Sequence, residues 1–398
     1  MMRFSLFLLM LCAGAADARG AGFEAAGYLK NLYHYTRART TRAPYWSDLS
    51  RARVRLDAKL PLAPGANEWA PPRHSLRAHV EYDHEISAGT FLKSRDYQLA
   101  GFGEPPTHFR MEQRVSSGTD GYWRHRLYRG WVELASFDAH LRFGRQRIAW
   151  GTGKLWNPTD FLNPYTPTSL ERDERRGVDA VYLRRGAGTY GQGEAVYVIG
   201  GRWSETDLVG RARGHIGQID ASLSGGKVAG STGSWTVGGD VAADVGGGSL
   251  HGEWSRTDLI LRDPFWKVMA GYEYTFPADP AWAPLKDMWI VGEYFHNGSG
   301  ESAPRRYDRG PLLSGREVTL GRDYVGLGLT KDMHPLVKVE LYAIANLNDR
   351  SHFFNPSISW NARRNLHLLG GWQRFGGKLL SEYGPIANVT YAQVQYFF

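Results

Sequence analysis

The chain ends Thr390-Tyr391-Ala392-Gln393-Val394-Gln395-Tyr396-Phe397-Phe398. In an extended strand successive side chains point to opposite faces. Thr390, Ala392, Val394, Tyr396 and Phe398 therefore share one face, and Tyr391, Gln393 and Gln395 the other. One face suits hydrocarbon and the other suits water, which is what the wall of a membrane-spanning β-barrel demands. Tyr396 and the terminal Phe398 then form the expected signal for assembly machinery at the bacterial outer membrane.

The same alternation recurs upstream. In residues 51–60, Val54, Leu56, Ala58 and Leu60 oppose Arg51, Arg53, Arg55, Asp57 and Lys59. In residues 76–83, Leu76, Ala78, Val80 and Tyr82 oppose Arg77, His79, Glu81 and Asp83. Residues 337–346 set Val337, Val339, Leu341, Ala343 and Ala345 against Lys338, Glu340, Tyr342 and Asn346. Near the end, Leu366, Leu368 and Trp372 oppose Asn365, His367 and Gln373. Weaker strands start near Phe23, Arg126, Asp138, Val178, Gly193, His215, Ser234, Leu250, Trp266, Met288, Arg322 and Phe354. The tally is roughly 17, and single-chain bacterial barrels have even numbers, so the expectation is an all-β, closed antiparallel transmembrane barrel of 16–18 strands. Short turns at 136–138, 331–335 and 360–364 alternate with long connections at 87–123, 150–176 and 297–321. Counting strand directions from both ends conflicts in residues 177–225, which locates the miscounted strand there. Because lipid cannot satisfy an open edge, the last strand is expected to pair with the first.

The N-terminus predicts export. Arg3, the apolar run from Phe4 to Leu11 and the Ala16-Asp17-Ala18 cleavage pattern read as a secretory signal over residues 1–18, leaving a single barrel domain at 19–398. The apolar run is shorter than the ~20 residues of a spanning helix. The only cysteine, Cys12, lies in that signal, so the mature chain would carry neither disulfides nor thiolate metal ligands. With 48 Gly, 21 Tyr, 14 Trp and 17 Phe but few long apolar runs, composition favours a barrel with aromatic girdles over a helical membrane protein. The net charge is +8, with basic residues spread through strand-like segments rather than gathered in one tail or helix. That dispersal favours a basic lumen over nucleic-acid binding.

The segment at 150–176 is the candidate for function. It holds Trp156-Asn157-Pro158, Asn163-Pro164-Tyr165, Pro167 and the run Glu171-Arg172-Asp173-Glu174-Arg175-Arg176. Long loops with their own aromatic and Pro-rich packing are often functional. Folded inward, its charges would narrow a pore; folded outward, they would simply be solvated. Trp156, Asp160, Arg172, Asp173, Glu174, Arg175 and Arg176 are the constriction candidates.

The strand before it carries Gly144-Arg145-Gln146, followed by Trp150-Gly151. Here the chain resembles outer-membrane barrels of the alginate-export and related porin-like type, in which a Gly-Arg-Gln strand leads into an important loop. The resemblance implies a passive or substrate-selective channel for anions, sugars or anionic polysaccharide. Arg53, Arg55, Lys59, Arg77 and Arg142 are the expected lumen-lining, anion-favouring residues. No enzyme activity, cofactor or metal is expected: His79, Glu81 and Asp83 are about 7 Å apart along a strand, wide for one ion. Gly151-Thr152-Gly153-Lys154 lacks the spacing of a phosphate loop. The expected partners are outer-membrane lipid, the assembly machinery, a hydrophilic or anionic solute and, as an option, further copies of the chain. Two other classes stay open: a non-conducting barrel serving an envelope machine, and, less favoured, a barrel hydrolase whose triad only geometry would reveal.

Overall fold

The computed structural model describes residues 21–39, 41–63, 74–94, 107–118, 120–164, 166–171, 174–175, 177–229, 233–260, 262–279, 282–313 and 317–398. The predicted signal at 1–18 and the loop candidates Arg172, Asp173 and Arg176 lie outside the described residues. In chain order the strands are β1 (Gly22–Arg37), β2 (Pro44–Ala63), β3 (His74–Ala88), β4 (Glu112–Gly118), β5 (Gly121–Ser136), β6 (Ala139–Gln146), β7 (Val178–Ala187), β8 (Gly191–Val198), β9 (Asp207–Ile216) and β10 (Ile219–Lys227). They continue as β11 (Trp235–Val245), β12 (Gly248–Leu259), β13 (Arg262–Thr275), β14 (Trp289–Asn297), β15 (Asp323–His334), β16 (Val337–Asn346), β17 (His352–Arg363), β18 (Leu366–Gly376) and β19 (Val389–Phe397).

Each strand runs antiparallel to its neighbours, and β19 closes on β1 with Tyr28 opposite Phe397 and Thr36 opposite Val389. The wall is a closed ring of 18 strands. The nineteenth, β4, pairs only with the upper half of β5, while the lower half of β5 pairs with β6. It thus extends the wall above the point where β6 ends. The sequence reading placed this segment inside the long connection at 87–123.

The strand tally fell one short because the region near His215 holds two strands. β9 and β10 are joined by a two-residue turn at Gly217 and Gln218, with Gly217 at φ 64. Gly210, Gly214, Gly225 and Gly226 dilute the alternation on both arms, so the hairpin reads as one segment. This lies in the interval where the strand directions conflicted.

Alternation holds in the clear strands. Leu29, Val54, Leu60, Tyr82, Ile86, Leu141, Phe143 and Val394 are exposed on the outer face. On the opposite face of these strands, Lys30, Arg53, Glu81, Asp83, Glu85 and Tyr391 are buried inside. Tyr33, Trp46, Trp266 and Trp372 ring the outer wall near the long-loop rim, and Tyr272, Trp360 and Tyr396 ring it near the short-turn rim. Two apolar girdles around a polar interior are the pattern of a transmembrane barrel.

Candidate functional site

The connection between β6 and β7, residues 147–177, turns into the barrel. Its start is set by the Gly144-Arg145-Gln146 stretch. Gly144 has φ 125, and a side chain there would meet the carbonyl of Gly130 at 2.3 Å. Arg145 is fully buried and bridges Asp179 on β7 at 2.8 Å, the Leu127 carbonyl at 3.2 Å and the Phe109 carbonyl at 2.6 Å. Phe109 returns a backbone N–H to Asp179 at 2.8 Å. The guanidinium thus locks wall and rim together where the loop departs.

Beyond that point the loop is fastened to the wall by buried carboxylates. Glu253 of β12 accepts the backbone N–H groups of Thr152 at 2.5 Å, Gly153 at 2.8 Å and Thr159 at 3.1 Å. Glu293 of β14 accepts those of Lys154 at 2.5 Å, Leu155 at 3.0 Å and Trp156 at 3.1 Å. Successive N–H groups converging on an anion form a nest, the device that phosphate loops use. Here a wall carboxylate fills it. Gly151, at φ 102, keeps the nest open: a Cβ there would meet Asn157 at 2.5 Å and Glu253 at 2.6 Å. Trp156 stacks on Phe295 with centroids 5.4 Å apart and packs with Leu155, Met269, Tyr324 and Ile344. Ile148, Trp150 and Leu162 form a second apolar cluster with Val178, Val196 and Val209 of the wall.

The far end of the loop meets the opposite wall. Lys30 of β1 holds Glu171 at 2.5 Å and Glu174 at 3.2 Å. Arg51 of β2 reaches Glu171 at 2.8 Å, and Arg53 reaches Glu174 at 2.8 Å. Tyr28 donates its hydroxyl to Glu174 at 2.7 Å. β12 lies half-way round the ring from β2, so the loop spans the lumen. Gln373 of β18 donates to the Thr168 carbonyl at 3.0 Å between these anchors. Burial alone would push the Glu171 and Glu174 carboxyls up. Arg51 and Lys30 at Glu171, and Lys30 and Arg53 at Glu174, outweigh it and hold both below the usual carboxylate range. Asp160 differs: burial pushes it up to about 7, against the Asn163 amide and Arg175 at 3.3 Å.

The expected lumen residues split into two groups. Arg53 points inward but is enclosed, bound to Asp83 at 2.6 Å and stacked 3.7 Å from the Tyr128 ring. Arg51, which was not among the expected residues, is equally enclosed between Glu85 at 2.5 Å and Glu171. Below the loop, toward the short turns, the side chains of Arg55 and Arg77 are 49% and 43% exposed, and Lys59 is also exposed on this inward-facing stretch. Arg142 is partly covered by Glu133 at 2.6 Å and by the Trp131 ring. His79, Glu81 and Asp83 share the inner face, where His79 binds Asp57 at 2.6 Å and Glu81 at 3.1 Å. Of the loop candidates, Trp156 and Asp160 are buried in packing, whereas Glu174 and Arg175 are half-buried. The anchors Glu253, Glu293 and Lys30 had no local signal, since a lone inward acid or lysine is ordinary in a polar lumen.

No family model matches the sequence, and no curated protein matches it. By structure the chain is similar to OccAB4 of Acinetobacter baumannii, at TM-score 0.57 and 9% identity over 94% of this chain and 98% of the other. A mutant porin of Rhodopseudomonas blastica aligns over 95% of this chain and 100% of its own, at 10% identity and TM-score 0.48. The anion-selective porin of Comamonas acidovorans covers the same shares at 10% identity and TM-score 0.46. At 9% identity the likeness to OccAB4 concerns the fold.

Proposed function

We propose that the chain is a porin-like channel of a bacterial outer membrane, delivered by a cleaved signal at 1–18 and folded as one barrel over 19–398. The observation that carries this reading is a polypeptide segment pinned across a polar lumen inside a closed wall with an apolar exterior. Such a wall satisfies every backbone group without water from the lipid side. The pinned loop narrows the route and leaves the solute to pass beside it. The exposed Arg55, Lys59 and Arg77, with Arg142 nearby, favour hydrophilic anions. The sequence resemblance adds anionic polysaccharide to that class.

The test is conductance of the mature chain refolded into a planar bilayer. Stable, anion-leaning steps are expected. Silence from a folded, inserted barrel would overturn the channel and favour the scaffold reading. One observation supports that second reading: Leu155, Trp156 and Thr159 are as buried as a protein core. The loop therefore fills much of the long-loop half of the barrel.

A further inference from the structure

On the outer wall, at the seam where β1 meets β19, a cleft of about 230 Å³ opens near the long-loop rim. Arg37, Arg39 and Arg42 line it, with Tyr35 and Trp372 as its aromatic floor. At about 30 Å³ per water molecule, it has room for a tetrahedral anion with part of its solvent shell. Its height is fixed by the register. Tyr35 pairs with Trp46 and with Thr390, and Thr390 pairs with Trp372. These aromatics belong to the upper girdle, and aromatic girdles mark the level of lipid headgroups. The three arginines come next along the chain, past the girdle on its water side.

The arginines are differently held. Arg39 is braced by its donation to the Gly384 carbonyl at 2.9 Å. Arg37 donates its Nε to the Tyr35 hydroxyl at 2.9 Å and is otherwise exposed. Arg42 makes no side-chain hydrogen bond or ion pair among the described residues, and it stands at φ 59, a left-handed conformation that favours glycine or asparagine. A bulky cation kept in that conformation, beside two others and with no carboxylate in the cleft lining, is a local concentration of uncompensated charge. Arg374 adds a fourth guanidinium, 5.9 Å from the Trp372 ring.

We infer that this cleft binds the phosphate of an outer-leaflet lipid headgroup. The inference rests on the outer-membrane placement proposed above. Guanidinium forks match phosphate oxygens bidentately, the aromatic floor packs against the first acyl carbons, and basic pockets at this depth recruit anionic headgroups. The lipid would seal the seam between the first and last strands and anchor the rim beside the 377–388 loop, to which Arg39 is tied.

The experiment uses the full mature chain refolded in detergent, incubated with diphosphoryl lipid A, with its dephosphorylated form or with inorganic phosphate, and read by native mass spectrometry. One diphosphoryl lipid is expected to stay bound, and to resist an excess of inorganic phosphate. Arg37→Ala with Arg42→Ala should lower retention roughly tenfold while leaving the braced Arg39 in place, as expected when two charge-assisted contacts are lost. Arg37→Lys with Arg42→Lys should restore much of it. Arg256→Ala, on the same rim outside the cleft, should change nothing. Equal retention in the alanine pair, equal binding of the dephosphorylated lipid, or displacement by free phosphate would each overturn the proposal. If the wild-type barrel inserts and conducts yet keeps no phosphorylated lipid, only the cleft assignment fails. If it does not insert into bilayers at all, the membrane placement fails with it.

Discussion

At the scale of single residues, the loop is held by acids that have little else to bind. Glu293 takes three consecutive backbone N–H groups and the His251 ring at 3.1 Å. Removing an acceptor from buried donors costs their full desolvation. Glu293→Ala is therefore expected to destabilise the docked loop by about 3 kcal/mol, with Glu293→Gln in between because one acceptor oxygen remains. Limited proteolysis within 150–160, on a barrel that still migrates as folded, checks it; an uncut loop in the alanine variant would refute the nest. A second acid is poised differently. Glu382, in the loop before β19, accepts the Tyr324 hydroxyl at 2.5 Å, the Asn346 amide at 2.8 Å and the Leu320 N–H at 3.1 Å, while Arg309 donates to its backbone carbonyl at 3.4 Å and no ion pair to its carboxylate forms among the described residues. Burial pushes its carboxyl from 4.5 up to about 7. The folded chain therefore binds this proton more tightly than the unfolded chain, and stability falls as pH rises from 4.5 to about 7. Thermal unfolding should show that decline in the wild type and a flatter profile in Glu382→Gln.

At the scale of elements, legibility followed the source of the information. The wall strands were readable because alternation is a property of each strand alone, and the five clearest kept their faces in the structure. The β9–β10 hairpin was not, because a two-residue turn and four glycines leave too little contrast. Nor could β4 be seen, since its partner is half of β5 rather than a whole strand. The arginine face of β2 was legible, but its enclosure was not: Asp83, Glu85, Glu171 and Glu174 meet Arg51 and Arg53 only through register and a loop that doubles back. That loop latch makes its own prediction. Glu171 and Glu174 have carboxyls held below the usual range, so their contribution is present above the unfolded value of 4.5 and is lost only as pH falls through the lowered folded values. Conductance noise should thus stay low down to mildly acid pH and rise in stronger acid. Glu171→Gln with Glu174→Gln should show the noisy state at neutral pH; a quiet double variant would mean the latch does not hold the loop.

At the scale of the whole molecule, the lumen has two storeys with different electrostatics. The long-loop half is filled by 147–177, and its cations are matched by carboxylates within a few ångströms. Its field at a passing ion is therefore small. Toward the short turns Arg55, 3.1 Å from Asp57, and Arg77, 3.7 Å from Glu133, are nearly half exposed and Lys59 is exposed, so all three keep contact with solvent and face a passing ion. It follows that Arg53 is the wrong residue for a selectivity test, because its removal would leave Asp83 and Glu174 buried beside less positive charge and would loosen the latch. The triple variant Arg55→Ala, Lys59→Ala, Arg77→Ala separates the two effects. In water a unit charge about 8 Å from an ion's path is worth about 0.5 kcal/mol, so losing three of them lowers anion permeability roughly tenfold and raises cation permeability by a similar factor at low salt. Screening shortens the reach of such charges to about 3 Å at 1 M. The reversal potential across a salt gradient should therefore shift toward cations in dilute buffer, with the difference from wild type shrinking as both sides approach 1 M. Loop noise should stay unchanged, since none of the three residues forms a hydrogen bond or ion pair with the described residues of 147–177. A variant that keeps its anion preference at low salt would remove the lower storey as the selectivity element and return attention to the loop itself.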